Sequence, residues 1–569
     1  MKKLVNDPRN VVVEMLEGLV DVSDHLALLD GENVVVQAPV PGPEKRPVAI
    51  LSGGGSGHEP AHAGYVGRGM LTAAVAGDVF TSPSVDAILA AILAVAGPKG
   101  AVLIVKNYTG DRLNFALAAE LAHERGIPAE VVVVADDVSL NDIVPVERRR
   151  GIAGTVLVHK IAGAAAERGL DIQEVAAVAR RAASQLATMG VGLSACTVPA
   201  AGRPGFELPA DEIEFGLGIH GEKGVSRSSM KPADEIVDGI IDVIRTDLLR
   251  RNMFTPGNQA VLLVNGMGAT PPMELLIVAR RALSRLRELG LRVVRAWAGD
   301  YMTALDMAGC SITVLPVDDS MLALLDAPTQ ARSWPGSGVI SDRRLYIDAP
   351  KAQVAEQPVP AAGPIAQQLA RALREIAHTL KEAEPLLTEL DSKAGDGDLG
   401  ASMFRGAEAL QSLPAGSDHT AQTLLLSASH ALRRAVAGSS GPFYAVGLAR
   451  AARTLADVSA PSAEQWHAAF LAAIDAISET GGARPGDRTM LDALVPASQA
   501  WQMALAQGKD ARAAYDEAVL AAESGARATE QMTPRLGRAS YLGDRAKGAP
   551  DGGAVAVALW MRAIAKALD

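Results

Sequence analysis

The sequence predicts a multidomain chain in which an α/β first part is followed by an all-α second part. Three observations carry this prediction. Before residue 349, short β-branched runs alternate with Ala-rich helical stretches, the pattern of layered helices and strands. After residue 363, apolar residues recur at three and four positions with no convincing strand among them. Between the two, residues 349–363 read APKAQVAEQPVPAAG, a Pro/Ala composition that stays extended and does not pack. The expected domains are therefore 1–348 and 364–569, joined by a linker at 349–363.

Taken in order, the first part offers four buried-type strands. Val48 to Leu51 runs into Gly53-Gly54-Gly55, and Ala101 to Val105 ends at Lys106-Asn107. Glu130 to Val134 ends at Asp136-Asp137, and Val261 to Val264 ends at Asn265-Gly266. In open α/β sheets ligands collect beyond the carboxyl ends of strands, and there this chain places its Gly, Lys, Asn and Asp. In the second part Pro364 suits the first turn of a helix, and Ile365, Leu369, Leu373, Ile376 and Leu380 mark one face. Further helical patterns lie at 421–437, 464–479, 490–507 and 511–523. Gly-rich interruptions at 395–400, 438–441, 481–486 and 548–553 read as inter-helix loops.

Composition narrows the function classes. The 569 residues are 49% hydrophobic and 21% charged, which excludes wholesale disorder. Aromatics are only 4%, so Ala, Val and Leu must build the core. The net charge of −11 argues against a nucleic-acid partner, which wants a basic face. Two cysteines, Cys196 and Cys310, are too few for a disulfide framework and suit a reducing cytoplasm. Lys2 and Lys3 resemble the start of a signal peptide, but Asn6, Asp7, Pro8 and Arg9 break any apolar region behind them. The richest apolar stretch, Ala87 to Gly97, is much too short to span a membrane.

Several motifs carry chemistry. Ser52-Gly53-Gly54-Gly55-Ser56-Gly57-His58-Glu59-Pro60 fits neither a P-loop nor a Rossmann fingerprint. It reads either as a tight strand-to-helix turn or as a small-molecule pocket into which His58 reaches. Lys106-Asn107-Tyr108-Thr109-Gly110-Asp111 follows a strand; Asp111 is either a general base or a cap of the helix starting near Leu113. In Phe215-Gly216-Leu217-Gly218-Ile219-His220-Gly221-Glu222 the glycines clear space around His220, a structural donor or an imidazole able to add to a carbonyl carbon.

In the helical part Asp391, Asp396 and Asp398 surround a Gly-rich turn, an oxygen donor set of the kind that holds Mg²⁺ beside substrate phosphates. The spacing fails the EF-hand pattern; the other reading is a solvated acidic loop. Gly438-Ser439-Ser440-Gly441-Pro442 offers backbone N–H groups to a phosphate. Gly486 to Asp492, Arg538 to Gly543 and Asp551-Gly552-Gly553-Ala554 complete a set suggesting a nucleotide held among helix-connecting loops.

These motifs, in this order and over essentially the whole chain, resemble the dihydroxyacetone (glycerone) kinases in their ATP-dependent single-chain form. SGGGSGHEPAHAGYVGRGM, GDVFTSPS, IVKNYTGD, RRGIAGTVLVHKIAGAAAERG, ACTVPA and EFGLGIHGE resemble the ketone-binding domain. LDSKAGDGDLG, GSSGP, GDRTMLDAL and GRASYLGDRAKG resemble the nucleotide-binding domain. The resemblance implies two α/β lobes in the first domain and a barrel of about eight antiparallel helices in the second. It implies that His220 bonds to the substrate carbonyl as a hemiaminal, which separates short ketoses from glycerol. His58 and Asp111 would flank the ketone as hydrogen-bond donor and general base, with Gly55, Ser82 and Lys106 near its hydroxyls. Asp391, Asp396 and Asp398 would hold two Mg²⁺ ions bridging the ATP phosphates. Ser439, Ser440 and Gly441 would contact phosphates, and Arg488, Met490, Arg538 and Asp551 would belong to the nucleotide site. A cytoplasmic homodimer is implied, with the two sites meeting within one chain or across the dimer.

One departure stands out: the family's Asp-Pro-Gly-Ala is here Asp551-Gly552-Gly553-Ala554, a looser turn. The rival readings are a kinase for erythrulose, glyceraldehyde or another short sugar, a relative that draws phosphate from a phosphocarrier protein, and a ketone-binding regulator without activity. Both halves on one chain favour ATP, and the intact Asp triad disfavours the regulator. FMN-cyclase activity, known among similar animal enzymes, is left open.

Overall fold

The computed structural model describes residues 2–141, 143–349, 365–413, 420–436, 438 and 440–568, apart from the side chains of 365, 366, 538, 542, 544 and 545. The chain divides into two compact units, Met1–Ala349 and Pro350–Asp569. Of the expected linker only Ala349 lies among the described residues, and it is exposed. Pro364 also lies outside them.

The first unit holds two six-stranded sheets. The first is built from β1 (Leu26–Leu28), β2 (Val34–Gln37), β3 (Ala49–Ser56), β4 (Ala73–Val79), β5 (Ala101–Lys106) and β6 (Ala129–Val134), in the order β1-β2-β4-β3-β5-β6. Its β4-β3-β5-β6 part is parallel. The second is built from β7 (Ala187–Gly192), β8 (Glu212–Phe215), β9 (Ser226–Ser229), β10 (Gln259–Gly266), β11 (Arg292–Gly299) and β12 (Gly309–Pro316), in the order β11-β10-β12-β7-β8-β9. Only β10 and β11 pair in parallel there. The helices are α1 (Val11–Asp21), α2 (Val85–Val95), α3 (Thr109–His123), α4 (Thr155–Glu167), α5 (Ile172–Gln185), α6 (Ala233–Arg250), α7 (Pro272–Glu288) and α8 (Asp319–Leu325).

Every residue of β5 is buried, because a parallel strand with helices on both faces has no solvated side. This is why it reads as a continuous apolar run and not as an alternation. Helix α4, buried from Thr155 to Ala166, sits between the sheets, and its Val156, Leu157, Val158 and Ile161 join a core shared by both.

Of the two readings of the glycines after Val48–Leu51, a strand-to-helix turn or a small-molecule pocket, the turn is not what the structure shows. Strand β3 continues through Gly53-Gly54-Gly55-Ser56, and only a single 3₁₀ turn, Ala63–Tyr65, precedes β4. The reason is close approach by neighbouring backbone. A Cβ on Gly53 would lie 2.3 Å from Val75 O, and one on Gly55 would lie 2.5 Å from Thr81 N. Gly55→Ala should therefore cost about 1–3 kcal/mol of stability, because backbone has to move. A chemical-denaturation midpoint unchanged from wild type would refute that.

The second unit is all-helical among its described residues. It comprises α9 (Ile365–Glu382), α10 (Glu384–Ala394), α11 (Leu399–Gln411), α12 (Ala421–Ala435), α13 (Ser440–Thr454), α14 (Ala463–Gly481), α15 (Leu491–Ala506), α16 (Ala511–Ala528) and α17 (Gly552–Ala567). Successive helices pack on one another and α17 returns to α9, so the ring closes. Thr420 and Ser462 open α12 and α14 with capping boxes, and Gly482 ends α14 in the left-handed conformation at φ 68°. Of the face expected on α9, Leu380 is buried and Leu369, Leu373 and Ile376 are partly so. Ala372 and Ala377 also go inside, since small side chains let neighbouring helices approach closely.

Candidate active site

In the first unit the polar side chains converge where β3 and β5 end. Lys106, the last residue of β5, is fully buried, and its Nζ has no hydrogen-bond partner. Burial lowers its pKa, against the raising charges of Asp111, Glu222 and Glu59. Asp111 lies in the first turn of α3, 3% exposed, with Oδ1 unpartnered. Its capping alternative is not realised: Tyr108 is the N-cap residue and makes no side-chain cap bond. A Cβ on Gly54 would lie 3.1 Å from Lys106 Nζ and 3.4 Å from Asp111 Oδ2, so both tips reach over this glycine. Ser82 abuts the same turn, its Oγ 2.6 Å from where a Cβ on Gly110 would stand.

The two histidines meet. His58 is fully buried; its Nδ1 lies 2.7 Å from Thr303 O, and its Nε2 3.1 Å from His220 Nε2. Burial, then the charges of Lys106 and His220, hold its pKa well below the usual histidine range. His220 sits in the hairpin between β8 and β9, with Nδ1 2.9 Å from Glu222 Oε1 and its backbone N–H donating to Glu222 Oε2 at 2.9 Å. Burial raises the Glu222 carboxyl, but the hydrogen bond and charge of His220 outweigh it and leave the pKa at about 2. The Phe80 ring stacks on His58 and meets His220 edge-on, and Tyr108 meets His220 edge-on at 4.7 Å between centroids.

The glycines around His220 have a job that local sequence does not reveal. A Cβ on Gly218 would lie 2.0 Å from Glu222 Oε2 and 2.6 Å from an Arg150 nitrogen. They make room for a carboxylate folded beneath the histidine. Arg150 is held by Asp137 at 2.7 Å and by Gly216 O at 2.6 Å. Asp136 accepts from Ile152 N, Gly154 N and Thr188 Oγ1, so these aspartates at the end of β6 fasten a loop. A separate 490 Å³ cavity lies between α1 and the glycine stretch, lined by Leu16, Leu19, Gly54, Gly55, Glu59 and His62 among others. None of His58, Lys106, Asp111 or His220 lines it, although Gly54, over which the Lys106 and Asp111 tips reach, does.

In the second unit one ligand oxygen from each of Asp391, in the last turn of α10, and Asp396 and Asp398, between α10 and α11, lies within 4.8 Å of the others. Asp391 Oδ2 accepts from Leu399 N at 3.3 Å, and a Cβ on Gly395 would lie 2.6 Å from Asp391 Oδ1. A hard divalent cation suits this all-oxygen, partly solvated set. The start of α17 adjoins it, since a Cβ on Gly552 would lie 2.7 Å from Leu399. Met490, just before α15, adjoins Gly553 at 3.9 Å by the same measure. Asp551 caps α17, and burial raises its pKa to about 6. The turn is intact with glycine at 552, since the cap bond to Ala554 N does not need proline.

Gly441 admits no side chain, because a Cβ would lie 2.0 Å from Val436 O; Ser440 beside it begins α13. Arg488 is buried, its guanidinium donating to Thr529 O, Ala546 O and Ala549 O. It thus ties down the segment before α17. Ser439 and the side chain of Arg538 lie outside the described residues. Glu222, Phe80, Tyr108 and Thr303 were not singled out from sequence, although the first three stand inside motifs that were.

The Dak1 domain model matches residues 17–333 and the DAK2 domain model residues 393–566. A putative 3,4-dihydroxy-2-butanone kinase of Solanum lycopersicum is 44% identical, covering 100% of this chain and 98% of that protein. The triokinase/FMN cyclase of Homo sapiens is also 44% identical, covering 100% and 99%. Among solved structures, the dihydroxyacetone kinase from C. freundii in complex with AMP-PNP and Mg²⁺ aligns with TM-score 0.64 at 34% identity, covering 99% of each chain.

Proposed function

This chain belongs to the family of kinases that join a Dak1 domain to a DAK2 domain, and on that premise we propose that it moves the terminal phosphoryl group of ATP onto dihydroxyacetone. The observation that carries the choice of substrate is the pair of buried, unpartnered polar tips, Lys106 Nζ and Asp111 Oδ1, beside two joined histidines. A small molecule with a carbonyl between two hydroxyls answers this set. The imidazole meets the carbonyl carbon, the ammonium donates to a hydroxyl oxygen, and the carboxylate accepts a hydroxyl proton.

In this reading His220 adds to the carbonyl and holds the ketone as a hemiaminal, which fixes the attacking hydroxyl in place, an entropic gain. Asp111 takes the proton of that hydroxyl as it attacks. Gly55 and Ser82 shape the pocket around the hydroxyls. Asp391, Asp396 and Asp398 would hold two Mg²⁺ ions, which supply charge neutralisation at the phosphates when bound. Ser440 and Gly441, with Met490 and the capped start of α17, border the space for the nucleotide. Glycerol lacks the carbonyl and is rejected at the first step.

Among the described residues no helix is long and apolar enough to cross a membrane. The proposal keeps a cytoplasmic homodimer as its setting.

The deciding experiment is ADP release from Mg²⁺-ATP by the purified chain, with and without dihydroxyacetone. Strong stimulation by dihydroxyacetone, exceeding that by erythrulose or glyceraldehyde, is expected. Stimulation by one of the others alone would reassign the substrate. No stimulation by any would overturn ATP as donor.

A further inference from the structure

We propose that Phe80, backed by Leu305, is the wall that sets how long a ketose the site accepts: three carbons fit, and a fourth runs into the ring. The inference rests on the ketose-kinase reading above and names the residue that chooses among its substrates.

The backbone points to these two side chains. Among the described residues, five other than glycine have a positive φ, and Phe80 at 59° and Leu305 at 56° are the two large apolar ones. The left-handed region is unfavourable for bulky residues and persists only where the surroundings enforce it. Here both are enforced. Phe80 N–H donates to Ser56 O at 2.9 Å, and Leu305 N–H donates to Gly57 O at 2.8 Å. Glycines clear the room. A Cβ on Gly55 would lie 2.6 Å from Phe80 C, and one on Gly268 would lie 1.9 Å from Leu305 O. Core packing does not account for the strain, because both side chains are only partly buried.

Two separate loops thus deliver their side chains to one point. A Cβ on Gly57 would lie 2.9 Å from Phe80 Cε1 and 3.2 Å from Leu305 Cδ2, so the leucine braces the ring. The next residue is His58. The Phe80 ring stacks on His58 and stands edge-on to His220, with 5.1 Å between centroids in each pair. Those are contact separations for rings, so no ligand atom passes between Phe80 and either imidazole. Two residues on, Ser82 Oγ abuts Gly110, which precedes Asp111. The segment from Phe80 to Ser82 therefore borders the pocket from the histidines to the turn that carries Asp111.

The chemistry of the wall fixes what it rejects. Lys106, Asp111 and the imidazoles offer hydrogen bonds, and the two hydroxyls and the carbonyl of dihydroxyacetone use them. A four-carbon ketose adds a CHOH group. Lys106 and Asp111 are buried, so the longer arm turns toward the partly exposed side, where it meets Phe80. There its hydroxyl faces an aromatic ring and leucine methyls, out of water and without a partner.

The test uses the full chain, with kcat/KM and calorimetric binding for dihydroxyacetone and erythrulose, in wild type, Phe80→Ala and Phe80→Gly. Glycine takes a positive φ without strain, so it opens the pocket where alanine fails to fold. Wild type should prefer dihydroxyacetone, and both variants should shift the kcat/KM ratio toward erythrulose by roughly tenfold or more. Leu305→Ala keeps the ring but loosens it, and should shift the ratio the same way by less. A ratio within about twofold of wild type in a folded Phe80 variant overturns the inference. So does a wild type that binds or uses erythrulose as well as dihydroxyacetone. A wild type that binds dihydroxyacetone more tightly than erythrulose but phosphorylates neither sinks the kinase reading alone. The shift in binding ratio between wild type and the Phe80 variants then decides the wall.

Discussion

Asp396→Asn is expected to lower Mg²⁺-ATP turnover by about a thousandfold or more while dihydroxyacetone binding stays at its wild-type level. The change keeps the side chain's shape and removes one negative charge from three carboxylates whose oxygens lie within 4.8 Å of one another. Asp396 is exposed, so the fold loses little. Bringing a divalent cation to ATP needs that charge, because phosphoryl transfer is catalysed mainly by positioning and charge neutralisation. The proposed ketone site is built from residues of the other compact unit. ADP release measured across a Mg²⁺ titration, alongside calorimetric titration with the ketone, separates the effects. Turnover within tenfold of wild type would remove the triad from the metal site. Loss of ketone binding would show that the two sites are coupled.

His220→Ala is expected to lower kcat/KM for dihydroxyacetone by roughly 10²–10⁴-fold and to narrow the preference for it over glycerol. The imidazole is the one group in the cluster that is both partly exposed and set up to attack, with Nδ1 occupied by Glu222 and Nε2 facing inward to His58. Removing it leaves His58, Lys106 and Asp111, which recognise hydroxyls and carbonyls only by hydrogen bonds. Glycerol meets those groups as well as a ketone does, so selectivity should fall along with rate. Parallel kinetics with the ketone and with glycerol decide this. A variant that is slower but equally selective would limit His220 to a structural role.

Much of this protein was legible along the chain for reasons particular to each stretch. Strand β5 was visible because a strand buried on both faces has no polar positions to interrupt it. Helices α12, α14, α15 and α16 were visible because one side of each meets water and the other a neighbour. The Asp triad was visible because its ligands fall within eight consecutive residues, so a single turn gathers them. The second sheet was mostly hidden. Strands β8 and β9 are four residues each, and Ser226–Ser229 carries no apolar pattern at all.

Composition and local motif determined the class of fold, the order of α/β and all-α parts, and the family, and they proposed the residues of two candidate sites. These follow from short-range physics: periodicity, turn chemistry and ligand spacing act over a few residues. Tertiary structure alone decided which of those side chains are spent and which are available. Asp136 and Asp137 look as chemical as Asp111 and Lys106 in the sequence, yet their hydrogen bonds are consumed in holding loops. Lys106 Nζ and Asp111 Oδ1 are left without partners. The joining of His58 to His220 across 162 positions, and the anchoring of His58 by Thr303 across 245, likewise exist only once the sheets pack, because a hydrogen bond depends on distance in space and not along the chain.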